Sequence, residues 1–283
     1  MKRIIYLILL IIPLTTYGAF EGFYIGVRGD GMSKATVAIN GDITSSLINP
    51  ASFRMNCNRS INLGYNKLFM MYNHLFMSYG QKTSFGNIGL LYIERDITGD
   101  FTDSLNNVLS SGVLESEKGI VFTHNFPLNN YIQAGYNFKL YNLSMQKYGN
   151  ATAISLDAGI VGNLFSTFKI GAAVHNVNRP IFGKVIAYYV PSNLIVGVSY
   201  EPYKGLLTTL QFEKEEGYDT RTEVGIEYKI IDPLLTVRCG VANNSMDFSA
   251  GLTINVGNFN IEYAYSSQRE INDSHEVGIS VNF

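Results

Sequence analysis

Residues 221–256 read RTEVGIEYKIIDPLLTVRCGVANNSMDFSAGLTINV, and three times in this stretch an extended chain would be apolar on one face only. Val224, Ile226, Tyr228 and Ile230 alternate with Glu223, Gly225, Glu227 and Lys229. Leu235, Val237, Cys239 and Val241 alternate with Thr236, Arg238 and Gly240. Phe248, Ala250, Leu252, Ile254 and Val256 alternate with Ser249, Gly251, Thr253 and Asn255. A period of two without a helical stripe predicts strands.

Outward from this stretch the same unit recurs. Strands are predicted over 61–68, 74–80, 85–96, 119–126, 131–145, 152–163, 168–176, 194–201, 206–213, 221–230, 234–242, 247–256, 259–266 and 274–283, about fourteen in all. Connections after even-numbered strands (81–84, 127–130, 164–167, 202–205, 231–233, 257–258) are short. Those after odd-numbered strands include the longer 97–118, 177–193, 214–220 and 267–273; the first hairpin, around 70–73, does not show the difference. Short turns on one side and long loops on the other are the signature of an outer-membrane barrel, periplasmic turns opposite exposed loops. A soluble sandwich also alternates, but its apolar faces meet each other and its strands are usually shorter. Closure into a barrel also removes unpaired edges. The expected fold is therefore all-β: a transmembrane antiparallel barrel with a short N-terminal plug segment.

The two ends agree with export. Lys2 and Arg3 precede an apolar run from Ile4 to Leu14, then Thr16, Tyr17 and Gly18 before Ala19. This predicts a signal peptide over 1–18 cleaved after Gly18, because the run is well short of the roughly 20 apolar residues a membrane anchor needs. In the last strand Val277, Ile279, Val281 and the terminal Phe283 share one face, and Glu276, Gly278, Ser280 and Asn282 the other. Phe283 on an amphipathic final strand resembles the signal read by the barrel assembly machinery. With outer-membrane lipid, that machinery is an expected partner.

A net charge of -2 gives no reason to expect a nucleic-acid partner. Two cysteines in an exported chain permit a bridge, but the alternation turns Cys239 toward lipid while Cys57 precedes the first strand, so none is expected. No metal-ligand spacing occurs, and neither a metal nor a cofactor is expected. The histidines His74, His124, His175 and His275 are scattered over different strands and no Gly-x-Ser-x-Gly elbow exists, so no catalytic residues and no enzyme activity are expected. The acidic stretch with Asp100, Asp103, Glu115 and Glu117 reads as a solvated exterior loop.

Residues 19–59 break the alternation and are rich in Gly and Ala, whereas 60–283 form the predicted barrel. Glycines permit close backbone approach and Pro50 fixes a turn, which suits a plug inside a lumen. The order Gly26-Val27-Arg28, Gly31-Met32-Ser33-Lys34-Ala35, Asp42 and Asn49-Pro50-Ala51 resembles the opening of the PorV/PorQ family, related to FadL-type long-chain fatty acid transporters. Gly225-Ile226-Glu227-Tyr228, Val237-Arg238-Cys239-Gly240, Glu262-Tyr263-Ala264-Tyr265 and Ser274-His275-Glu276 extend the likeness to the C-terminal third. Ser52 stands where that family usually has Gly, and Cys239 where Ala is common.

The resemblance implies a plugged channel for hydrophobic or amphipathic small molecules, with Gly31, Met32, Asn49, Pro50 and Ala51 as plug or gating residues. Glu227, Lys229, Arg238 and Glu262 are expected to face the lumen, where neighbouring strands can bring Glu227 and Arg238 together. A structural ion pair that only holds the plug is the plainer role for them. The alternative function is a component of type IX secretion that binds exported proteins, for which the exposed loops would have to serve.

Overall fold

The computed structural model of the chain describes residues 20, 23–24, 26–68, 72–102, 108–146, 149–183, 188–243, 247–268 and 271–283; the expected signal peptide lies outside them. A short helix α1 (Val27–Asp30) and two 3-10 turns (Ile43–Leu47 and Pro50–Ser52) precede the strands. These are β1 (Arg59–Leu68), β2 (Tyr72–Thr83), β3 (Gly86–Thr102), β4 (Val108–Pro127), β5 (Ile132–Met145), β6 (Gly149–Phe165), β7 (Phe168–His175), β8 (Ile181–Phe182), β9 (Tyr188–Tyr189), β10 (Asn193–Tyr203), β11 (Leu206–Glu215), β12 (Arg221–Ile231), β13 (Leu235–Ala242), β14 (Asp247–Val256), β15 (Phe259–Gln268) and β16 (Ile271–Asn282).

Fourteen of them form one closed antiparallel barrel; β8 and β9 pair only with each other, inside the connection from β7 to β10. Every barrel strand pairs with its neighbour in sequence, and β1 also pairs with β16 from Ser60↔Asn282 to Lys67↔His275. Phe283 completes the seam: its N–H donates to the Arg59 carbonyl at 2.8 Å and its carbonyl accepts from Asn58 at 3.0 Å. Closure gives every strand two partners and leaves no edge.

The faces fall as the alternation requires. Leu63, Met77, Phe138, Ile160, Val224 and Ile279 are exposed on the outer wall, whereas Asn62, Asn125, Asn137, Ser155, Gln211 and Ser280 are buried within. Apolar outside and polar inside reverses the order of a soluble protein and is what a hydrocarbon surround demands. Cys239 is on the outer wall, Cys57 lies by the last strand with its thiol 3.5 Å from Asn282 Oδ1, and both are free. An exposed aromatic side chain also stands at most of the short turns: Phe85, Tyr131, Phe165, Tyr203 and Phe259, with Phe283 at the end of β16. That ring is the girdle expected where a barrel meets the membrane interface.

The reading of 97–118 as a loop is corrected. β3 runs on to Thr102 and β4 begins at Val108, with Ile97↔Glu115 and Gly99↔Gly112 paired in the extension. Polar residues and glycine occupy both faces at Thr98, Gly99, Asp100, Ser111 and Gly112, so alternation no longer marks the strands. Likewise 214–220 and 267–273 shorten, because β11 continues to Glu215 and β15 to Gln268.

Candidate functional site

The lumen holds the N-terminal segment, and inward-facing glycines of the wall let it dock by its backbone. A Cβ on Gly135 would fall 2.4 Å from the carbonyl carbon of Pro50, and one on Gly159 would fall 2.0 Å from Asn49 Oδ1. These two glycines face each other on β5 and β6. Further round, a Cβ on Gly240 would fall 2.3 Å from the carbonyl carbon of Met32, while Gly31 lies against Gly251. Such approach is closed to any residue with a side chain.

Asn49, Pro50 and Ala51 form the tightest of these contacts. Asn49 is fully buried and caps the turn it precedes, with Oδ1 accepting from the Ala51 N–H at 2.9 Å. Its Nδ2 donates to the Val37 carbonyl at 2.7 Å and to the Ile160 carbonyl of β6 at 3.2 Å. The wall answers with side chains that satisfy plug carbonyls, as buried backbone groups require. Asn125 donates to Ala51 (2.7 Å), Asn137 to Ser46 (2.8 Å), and His175 Nε2 to Ile48 (2.8 Å). Met32 is fully buried and packs onto Gly225 and Gly240.

An ionic contact fixes the opposite side. Glu227 and Arg238, Cα partners on β12 and β13, meet at 2.6 Å. Arg28 of α1 joins them, its Nε and Nη2 each 2.8 Å from a Glu227 oxygen, while its Nη1 donates to the Asn40 carbonyl at 2.7 Å. Arg238 Nη1 donates to Thr253, whose hydroxyl donates to Glu262 at 2.9 Å. So Glu227, Arg238 and Glu262 do face one network. Lys229 is at its rim, exposed, 3.7 Å from Asp232. Beside α1, Asn66 donates to Asp30 at 3.0 Å and to Glu276 at 3.4 Å.

A second buried network was not foreseen. Asp157 on β6 accepts from Lys139 at 2.5 Å and from Asn137 at 3.0 Å, with His175 Nδ1 at 3.1 Å. Period two already turns Lys139 and Asp157 inward; only the strand register brings them together. Of the other histidines, His74 is buried near Phe23, while His124 and His275 contact the tyrosines Tyr136 and Tyr263.

The remaining lumen is divided by polarity. Along β2 to β6 runs an apolar cluster: Met55, Phe53, Ile43 and Leu47 of the plug, Phe76, Leu91 and Ile93 of the wall, then Phe20, Phe23 and Tyr141. Phe182 and Val190, from the connection between β7 and β10, close it on the long-loop side. Phe20 stacks on Tyr141 at 4.2 Å and on Phe182 at 5.1 Å, and its N–H donates to Glu117 at 2.8 Å. On the short-turn side Met55 opens instead into a polar vestibule of about 740 Å³ beneath the plug.

A fourteen-strand antiparallel barrel, apolar outside and holding its own N-terminal segment in the lumen, has the FadL-like fold. Solved structures with this fold include the toluene transporter TbuX of Ralstonia pickettii (14% identity, 92% of this chain and 98% of that one, TM-score 0.67). The toluene transporter TodX of Pseudomonas putida (12%, 92% and 98%, TM-score 0.66) and a FadL homologue of Pseudomonas aeruginosa (12%, 91% and 98%, TM-score 0.63) are similar to the same extent. At these identities the likeness is one of fold. No protein-family model matches the sequence, and no protein of curated function matches it.

Proposed function

We propose that the protein is an outer-membrane channel for hydrophobic or amphipathic small molecules, gated by its N-terminal plug. The observation that carries this is the apolar cluster inside the lumen. It continues from Phe182 and Val190 on the long-loop side to Met55 at the vestibule. A water-filled porin lines its lumen with polar groups, whereas a continuous apolar side offers a hydrophobic solute contacts along the whole passage. Ile43, Leu47, Phe53 and Met55 of the plug fill that passage at rest, and Gly31, Met32, Asn49, Pro50 and Ala51, which seat the plug on the wall, are proposed as the contacts that release during transit. The FadL-like fold supports this reading, since TbuX and TodX, which share it, are named as toluene transporters. The PorV/PorQ kinship proposed from the two ends of the chain is compatible with it.

The test is fractionation of cells expressing the tagged protein, heat-modifiable migration, and uptake of a labelled long-chain fatty acid and of labelled toluene. An outer-membrane, heat-modifiable protein whose uptake changes on deletion of residues 19–53 supports the channel. The same barrel with uptake of neither probe transfers the assignment to a secretion component, and a soluble periplasmic protein overturns both.

A further inference from the structure

One titratable side chain joins the plug to the wall through both of its ring nitrogens. His175 ends β7, is fully buried, and lies between the Ile48 carbonyl of the plug and Asp157 of β6. A carbonyl can only accept, so Nε2, at 2.8 Å from it, carries a proton. Nδ1 stands 3.1 Å from Asp157 Oδ2 and is otherwise unpartnered among the described residues. Asp157 meets donors on every side: Lys139 at 2.5 Å and Asn137 at 3.0 Å reach Oδ2, and the Asn176 N–H reaches Oδ1 at 3.0 Å. A carboxyl group facing three donors is a carboxylate and has no proton to give Nδ1. The other groups around the ring leave Nδ1 alone. Tyr24 meets it edge-on at 5.6 Å and accepts from Asn193 at 3.1 Å, Lys34 lies over the Tyr24 ring at 5.5 Å, and Glu213 takes the other Asn193 bond.

The two contacts together ask for two N–H groups, and only the imidazolium has both. Neutral imidazole has one. With that proton on Nε2 a lone pair is set against the Asp157 oxygen, and with it on Nδ1 a lone pair is set against the Ile48 carbonyl. Burial makes either arrangement costly, because an unpaired polar contact in a low-dielectric interior is not relieved by solvent. We propose that His175 is a proton-dependent latch: as the imidazolium it ties the Ile48 turn of the plug to the Asp157–Lys139 network, and on losing its proton it lets that turn go. The Asn49-Pro50-Ala51 turn follows Ile48 directly, so the latch acts on the part of the plug seated against Gly135 and Gly159. The seated plug binds a proton that the released plug gives up, so the contact is complete at low pH and is lost as pH rises.

The latch goes beyond transport and is tested without it. Purified full-length protein in a neutral maltoside detergent, labelled with nitrogen-15 on histidine, is followed by NMR between about pH 5 and about pH 9, a span that includes the range where an imidazole changes charge. Hydrogen-exchange protection of amides 45–52 is read over the same span after correction for intrinsic rates, with amides 27–34 and the barrel strands as references. The expected result is a proton on both His175 nitrogens at the acid end, one of them lost within the span, and with it a fall of about ten-fold in protection at 45–52, the scale of one charge-assisted bond. His175→Gln, whose amide still donates to Ile48, identifies the His175 signals and should keep 45–52 protected at every pH; heat-modifiable migration confirms an intact barrel. A neutral His175 at the acid end overturns the proposal, as does protection at 45–52 that is equal at both ends. Should His175→Gln retain the pH dependence, another group holds the proton and the latch is overturned as well. None of these outcomes touches the uptake measurement, so the two readings fail separately.

Discussion

Glu227 holds two guanidinium groups, one from the plug and one from the wall, so removing Glu227 and removing Arg28 are unequal perturbations. Glu227→Ala leaves Arg28 and Arg238 side by side without the carboxylate they share, Glu262 being reached only through Thr253, and loss of one partner from a buried pair costs about 3–5 kcal/mol. Arg28→Met removes three bonds, but Glu227 keeps Arg238 at 2.6 Å and the Arg28 side chain is 21% exposed. The cost there is about 1.5–3 kcal/mol, the scale of a charge-assisted hydrogen bond. At a factor of ten for each 1.4 kcal/mol, plug opening rises about 10- to 150-fold in Arg28→Met and about 150- to 4,000-fold in Glu227→Ala. The double variant should open no more than Glu227→Ala, because the shared partner is already gone. Hydrogen exchange of amides 27–53 in the purified protein reads these factors directly, with the barrel strands as internal reference. Additive effects of the two substitutions would refute the reasoning. So would exchange that accelerates equally in plug and barrel, since the network would then support the strands rather than hold the plug.

Three further outcomes are expected. Gly135→Ala forces a methyl group into Pro50 and should loosen the plug by about 1–3 kcal/mol, the usual cost of overpacking; Gly162→Ala, whose Cβ would meet nothing within 4 Å, should leave plug amide exchange unchanged. Asn49→Ala loses three hydrogen bonds in a fully buried setting and should weaken the same contact by about 1–3 kcal/mol, seen as faster exchange near Val37 and Ala51. Asp157→Ala strands Lys139 inside the wall and should destabilise the barrel itself by about 3–5 kcal/mol, measured as a lower urea midpoint for the heat-modifiable form; a midpoint equal to that of the native protein would show that the charge is not needed.

The barrel was legible because a lipid-facing wall imposes a strict alternation, and residues 221–256 carry it in three successive strands. Where that constraint lapses the reading fails. The β3–β4 extension carries polar residues or glycine on both faces at Thr98, Gly99, Asp100, Ser111 and Gly112, so nothing there distinguishes a paired strand from a loop. The Glu227–Arg238 contact could be anticipated because adjacent inward positions on paired strands are near one another. Arg28 could not be joined to it, since its place depends on how an aperiodic segment threads the lumen. The docking glycines left a partial signal: Gly225, Gly240 and Gly251 already read as inward, and a row of inward glycines on neighbouring strands marks a wall prepared for backbone contact. What they contact was invisible. The same limit applies to Lys139 and Asp157, which alternation turns inward but only register joins.

The way the plug is bonded bears on how the proposed gate would move. Around β4 to β7 the wall gives side-chain donors to plug carbonyls, at Ala51, Ser46 and Ile48. These carbonyls belong to or follow short 3-10 turns, too brief to satisfy their own ends. Water can replace each of those donors as a carbonyl moves, so breaking them one at a time is tolerable. At β12 and β13 the contact is ionic and shared, and it cannot be released in part: Arg28 either faces Glu227 or leaves it to Arg238 alone. The amide side is therefore suited to gradual sliding along the apolar cluster, and the Arg28 side to an all-or-none step. On the proposed channel reading, the β2 to β7 side of the plug moves first, and the α1 side, with Gly31 and Met32, follows only when Arg28 leaves Glu227.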